Sequence, residues 1–203
     1  MDSDQLTELI LALQMIKGVG PKTVLKFFDS VKPRLILENF RNMHRNSTIN
    51  RRINEGALDY QKWKNMLADA RKLMEKTRSY GIQILNYQDA DYPDNLRSLN
   101  HYPLIIYVKG NVKALQGPSV GFIGTRRPTE LGYKMAERMA YQFAKDGLTV
   151  VSGLSVGTNT AAHTGALKAG GTTVAILGHS LEQPIYPKEN KDFAQEIIDN
   201  GGA

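Results

Sequence analysis

The 203-residue chain contains no cysteine, one tryptophan and only four histidines. Without cysteine there is no disulfide framework, thiolate nucleophile or Cys-based zinc site. Four histidines leave little for imidazole chemistry, so neither a metal nor a cofactor is expected. No apolar run approaches the ~18 to 20 residues of a membrane helix. The start, MDSDQLTELI, lacks the charged-then-apolar layout of a secretory signal. A cytoplasmic protein with no membrane partner is expected. What is present is a 41% hydrophobic composition, enough to bury a core in one or two domains.

The net charge is +6, and it is unevenly placed: residues 1–80 hold 15 Lys/Arg against 9 Asp/Glu, residues 81–203 hold 11 against 11. The excess lies in the first part and favours an anionic partner there. A solvated basic surface is the bland alternative.

Hydrophobic spacing divides the chain at the same place. In residues 1–80, Leu6, Leu9, Ile10 and Leu13 repeat at helical spacing, Thr23 to Phe28 does so after a Gly-Val-Gly-Pro break, and Trp63 to Met74 form one stripe of a helix over Leu58 to Tyr80. Arg41 to Asn54 reads as short helices and loops. From Gly81 the period changes to strands: Ile82 to Asn86, Leu104 to Lys109, Ser119 to Gly124, Leu148 to Ser152 and Thr172 to Gly178. Helical stretches at Leu131 to Asp146, Thr160 to Ala169 and Asn190 to Asn200 separate or follow the later ones. The expected fold is α/β: a Rossmann-like, mostly parallel sheet with helices on both faces over 81–203, preceded by a small all-helical domain over 1–80. The chain stops after a helix, where another strand is due, so the second domain is expected to be truncated at its C-terminus.

Three loops at the strand ends carry the chemistry. The first, within Ser119-Val-Gly-Phe-Ile-Gly-Thr-Arg-Arg-Pro-Thr, runs from a strand into a helix and leaves amides free for a phosphate, with Arg126 or Arg127 adding a guanidinium. Gly121, Gly124 and Gly132 have the wrong spacing for a dinucleotide fingerprint, which argues against NAD. A tight turn at Gly124 is the structural alternative. The second loop, Ser152-Gly-Leu-Ser-Val-Gly-Thr-Asn-Thr-Ala-Ala-His, ends at the same sheet edge, so Gly124, Thr125, Ser152, Gly153 and Gly157 are candidates for one anion pocket. Thr158 or Asn159 serves as a helix cap on the cheaper reading, and His163 reads as packed or capping rather than catalytic. In the third, Gly178 to Lys191, Tyr186 is a candidate for base stacking and Lys188 and Lys191 for phosphate contact; a rigid Tyr-Pro turn packed on the sheet is the alternative. No catalytic residue is assigned.

In the helical part, Met15-Ile-Lys-Gly-Val-Gly-Pro-Lys-Thr-Val-Leu has the form of a helix-hairpin-helix. Lys17, Gly18, Gly20 and Lys22 are candidates for a secondary, sequence-independent DNA contact, or this is a packing module.

Together these residues resemble the DNA-processing protein A (DprA/Smf) family. Asp91-Tyr-Pro-Asp-Asn-Leu, Ile106-Tyr-Val-Lys-Gly-Asn, Gly124-Thr-Arg-Arg-Pro-Thr, Ser152-Gly-Leu-Ser-Val-Gly, Ala161-Ala-His-Thr-Gly-Ala-Leu and Ile185-Tyr-Pro-Lys-Glu-Asn look like its blocks, in its order. The helical start is similar to the helix-hairpin-helix or sterile-alpha-motif-like domain preceding the family's Rossmann-like domain. The resemblance implies a protein that binds and protects incoming single-stranded DNA in natural transformation and assists RecA loading. It puts Arg126 on a DNA phosphate, with Gly124 and Gly153 shaping the pocket and Lys188 and Lys191 helping to bind the strand. Gly157-Thr158-Asn159 departs from the family's Gly-Ile-Asp and removes a carboxylate. A homodimer is left open, since the family's dimerisation and RecA-contacting surfaces lie towards the missing end. The competing readings are a phosphoribohydrolase-like nucleotide enzyme, whose Pro-Gly-Gly-x-Gly-Thr-x-x-Glu pattern is absent, and a nucleotide-sensing module.

Overall fold

A computed structural model describes all 203 residues. The chain forms two compact units, Met1–Ile106 and Tyr107–Ala203.

The first unit is mainly helical. Helix α1 (Ser3–Gln14) starts with a capping box: Asp2 accepts from the Gln5 N–H, and the Gln5 side chain reaches back to the Asp2 N–H. The helices α2 (Pro21–Ser30), α3 (Pro33–Glu38) and α4 (Ser47–Asn54) follow, with a 3₁₀ turn at Phe40–Arg45. Asp59 caps α5 (Tyr60–Ser79), and Gly81, at φ +70°, supplies the left-handed residue just past its end. Leu9, Ile10, Leu13, Phe27, Ile49 and Trp63 are buried together between these helices. Two short strands, β1 (Gln83–Asn86) and β2 (Ile105–Val108), the latter running over the division at Ile106, form a two-stranded sheet, with the short helix α6 (Asp94–Arg97) between them in sequence. Ile84 and Leu104 join the helical core. That is why the compact division falls after Ile106 and not at Gly81, where the hydrophobic period changes.

The second unit carries a parallel sheet of β3 (Ser119–Phe122), β4 (Thr149–Ser152) and β5 (Thr173–Ala175), in the order β3-β4-β5. Ser119 pairs with Thr149, Phe122 with Ser152, and Ser152 with Ala175, so all three strands end at one edge. The strands are shorter than their apolar runs: Ile123 lies beyond the ladder, and Ile176 makes its last bond, from its N–H to the Ser152 carbonyl at 2.8 Å; both side chains are exposed. Helix α7 (Glu130–Lys145) links β3 to β4, α8 (Thr158–Lys168) links β4 to β5, and α9 (Lys191–Asp199) follows β5. Small residues set the α7–α8 packing: Ala140, Ala144, Ala162 and Ala166 are buried with Val150. A Cβ on Gly165 would run into the Glu137 carbonyl. Neither Thr158 nor Asn159 caps α8. The N-cap is Gly157, with no side-chain cap bond, and the Asn159 amide turns instead to Ser155 Oγ at 2.9 Å. No helix is long and apolar enough to cross a membrane.

Candidate functional site

A cavity of about 390 Å³ opens at the carboxyl edge of β3, β4 and β5. All three loops wall it: Arg126 from the first, Gly153 to Val156 and Asn159 from the second, Ile176 to His179 with Tyr186 and Pro187 from the third. No carboxylate lines it, and its size suits a small ligand or one unit of a polymer.

The first two loops touch through their main chains. The Thr158 N–H donates to the Thr125 carbonyl at 3.1 Å, and the Arg127 N–H to Thr125 Oγ1 at 3.1 Å. Gly124 is required by space, since a Cβ there would lie 2.6 Å from the Thr158 side chain. Gly157 is required by conformation as well. Its φ is +86°, and a Cβ would meet the Thr125 carbonyl oxygen at 2.6 Å and the Arg126 carbonyl carbon at 2.7 Å. Ser152 is buried and donates to the Phe122 carbonyl at 2.7 Å, tying the ends of β3 and β4.

Of the other expected residues, Arg126, Gly153 and Tyr186 line the cavity, with Tyr186 67% exposed. Arg127, Lys188 and Lys191 are exposed and do not line it. Lys188 opens a 3₁₀ turn and Lys191 begins α9. Lys17, Gly18, Gly20 and Lys22 lie in the first unit at the α1–α2 turn, where Gly18 has φ +86° and Arg52 Nε donates to the Lys17 carbonyl at 3.0 Å.

Three polar side chains of the site take roles that the sequence does not show. Asn190, buried, donates from Nδ2 to the Leu154 carbonyl at 2.8 Å and braces the third loop against the second. Its mark in the sequence is the closing Asn of the Ile185-Tyr-Pro-Lys-Glu-Asn block. Asn159 and His179 line the cavity, and Asn159 Oδ1 and His179 Nε2 are buried without a hydrogen-bond partner; the sequence marks Asn159 only as a cap candidate and as the departure from the family's Gly-Ile-Asp, and His179 not at all. His163 lies beneath the second loop. Burial pushes its pKa down to about 4, partly offset by its contact with the Gly153 carbonyl.

A parallel sheet with crossover helices and a loop-walled cavity at its carboxyl edge defines a Rossmann-like domain. Residues 83–203 match the family model of DNA recombination-mediator protein A. The chain belongs to that family.

The chain is 30% identical over 206 residues to Protein Smf of Synechocystis sp., covering 94% of this chain and 48% of that protein. It is 38% identical over 112 residues to DNA processing protein DprA of Streptococcus pneumoniae, covering 55% and 39%. The chain thus spans about half the length or less of these curated relatives. The solved structure of DprA from Streptococcus pneumoniae superposes with TM-score 0.67 at 25% identity, covering 98% of this chain and 62% of that one. That of DNA processing protein A from Helicobacter pylori, which describes its unique single-stranded DNA binding mode, superposes with TM-score 0.51 at 32% identity, covering 60% and 54%.

Proposed function

We propose that this chain binds single-stranded DNA at the three-loop cavity, without chemistry on the strand, as a cytoplasmic mediator of recombination. In this reading it protects DNA taken up in natural transformation and assists RecA loading; RecA and a second copy of the chain are its protein partners. One observation carries the reading. A single cavity brings a guanidinium, three main-chain loops and an exposed tyrosine ring together with no carboxylate among them, a set suited to a phosphate with an adjoining base. Membership of a recombination-mediator family and the single-stranded DNA binding of the Helicobacter pylori relative support it.

Arg126 meets a phosphate, Tyr186 stacks on a base, and Gly124, Thr125, Ser152, Gly153 and Gly157 shape the loops. Arg127, Lys188 and Lys191 add charge around the mouth, and the turn carrying Lys17, Gly18, Gly20 and Lys22 is a secondary contact. The test is binding of a labelled single strand, a duplex and a mononucleotide at two salt concentrations. The slope of log K against log salt on single strands is roughly −0.7 per phosphate neutralised, so Arg126→Ala should make it shallower by about that amount and weaken all sequences alike. Unchanged affinity and slope in this variant would remove the cavity as the DNA site. Turnover of the mononucleotide would replace the reading with an enzymatic one.

A further inference from the structure

His163 is fully buried, and each ring nitrogen faces an oxygen: Nδ1 lies 2.6 Å from Thr173 Oγ1 and Nε2 lies 3.2 Å from the Gly153 carbonyl. A carbonyl only accepts, so a bond to Gly153 requires the proton on Nε2. Nδ1 then accepts from the Thr173 hydroxyl. The opposite tautomer would donate from Nδ1 to Thr173 Oγ1 and leave that hydroxyl its 2.8 Å bond to the Val150 carbonyl, but it would set the buried Nε2 lone pair against the Gly153 oxygen. Val150 does not need that bond. Its N–H donates to the Thr172 carbonyl, and in a parallel ladder the carbonyl of such a residue turns to the same neighbouring strand. The balance favours Nε2–H.

We infer that His163 is a positioning residue of the cavity: its Nε2–H holds the Gly153 carbonyl inward and thereby aims the Leu154 N–H into the cavity as a phosphate donor. The link is peptide planarity. The Gly153–Leu154 bond is trans, so its C=O and N–H point in opposite directions. Leu154 lines the cavity, and its N–H makes no hydrogen bond within the chain. The next peptide is fixed too, because Asn190 Nδ2 holds the Leu154 carbonyl at 2.8 Å. The orphan amide is therefore clamped on both sides, by His163 before it and Asn190 after it. The inference rests on the reading of this cavity as a DNA site and adds the group that orients its main-chain donor.

Nitrogen-15 and amide NMR on the full chain, with an oligothymidylate as probe, tests this. The free chain should show His163 protonated at Nε2 and bare at Nδ1 at neutral pH, and the Leu154 amide should shift on adding the oligonucleotide. His163→Phe keeps an aromatic ring against Phe193, 6.2 Å away in the native chain; it removes the Nε2–H donor together with the Nδ1 acceptor, whose Thr173 hydroxyl still has the Val150 carbonyl within reach. It should weaken binding about tenfold, the scale of one charge-assisted hydrogen bond, while leaving the salt slope intact because no charge is lost. An Nδ1-protonated ring, or a Leu154 amide that stays still while the oligonucleotide binds, overturns the inference on the native chain alone. A folded His163→Phe chain that binds like the parent does the same. Failure of the native chain to bind any oligonucleotide would sink the site assignment itself, an outcome distinct from binding with a silent Leu154.

Discussion

Burial beneath a loop, with a hydroxyl and a carbonyl as its polar neighbours, favours the neutral form of His163, whose pKa falls to about 4. The same ring in the unfolded chain titrates near 6.5. As pH falls, the unfolded state takes the proton first. The contribution of His163 is therefore complete above about pH 6.5 and is lost as pH falls towards 4. At 1.36 kcal/mol per unit the loss is about 3 kcal/mol. Urea melts at pH 7, 5.5 and 4.5 should show a steeper fall for the native chain than for His163→Phe, in which the carboxylates still titrate but this group does not. Equal slopes would mean the ring is not desolvated in solution. At this scale the sequence was legible where a residue type meets a loop: Arg126 follows Gly124 at a strand end, and the chain-specific spacing shows it. Asn159, Asn190 and His179 were not. Their part lies in bonds made or left open across the fold, and no local pattern records which carbonyl an asparagine will find.

Helices were legible because their period is long, as Leu6 to Leu13 and Trp63 to Met74 show; the Asp2 and Asp59 caps and the glycines that close α5 and α7 are details that the structure adds. Strands were less so. Apolar runs continue past the ladder into the loops, as Ile123 and Leu177 do, and hydrophobicity does not say where pairing stops. The α7–α8 contact was hidden for another reason. It depends on the absence of side chains, and an Ala-rich, Gly-containing helix reads as weakly amphipathic rather than as closely packed. Gly165 gives the measurable consequence. Its missing Cβ lets the backbone of α8 approach the Glu137 carbonyl and the Tyr141 N–H, and backbone cannot rotate aside as a side chain does. Gly165→Ala should gain helix propensity yet lose about 1 to 3 kcal/mol of stability through overpacking. A thermal melt showing equal or greater stability would mean that α7 slides freely on α8.

At the scale of the whole chain, the position of the division changes the electrostatic argument. Counted from Gly81, the sheet-bearing part has no net charge, a poor start for binding a polyanion. The compact unit begins at Tyr107, which leaves Asp89, Asp91 and Asp94 with the first unit. Tyr107–Ala203 then holds 10 Lys/Arg against 8 Asp/Glu, and Met1–Ile106 holds 16 against 12. Both units are basic, and the cavity lies wholly in the second. We therefore expect a 107–203 fragment, once circular dichroism shows it folded, to retain single-strand binding at reduced affinity. Its salt slope should not exceed roughly 3 in magnitude, the sum for Arg126, Arg127, Lys188 and Lys191 at about 0.7 each. The full chain should give a steeper slope if the turn at Lys17 to Lys22 meets phosphates as well. Lys17→Ala with Lys22→Ala in the full chain should then remove roughly 1.4 of it while leaving the mononucleotide contact with the cavity unchanged. A folded fragment that binds no single strand, beside a full chain that loses all binding with the two lysines, would move the DNA site from the sheet edge to the helical hairpin.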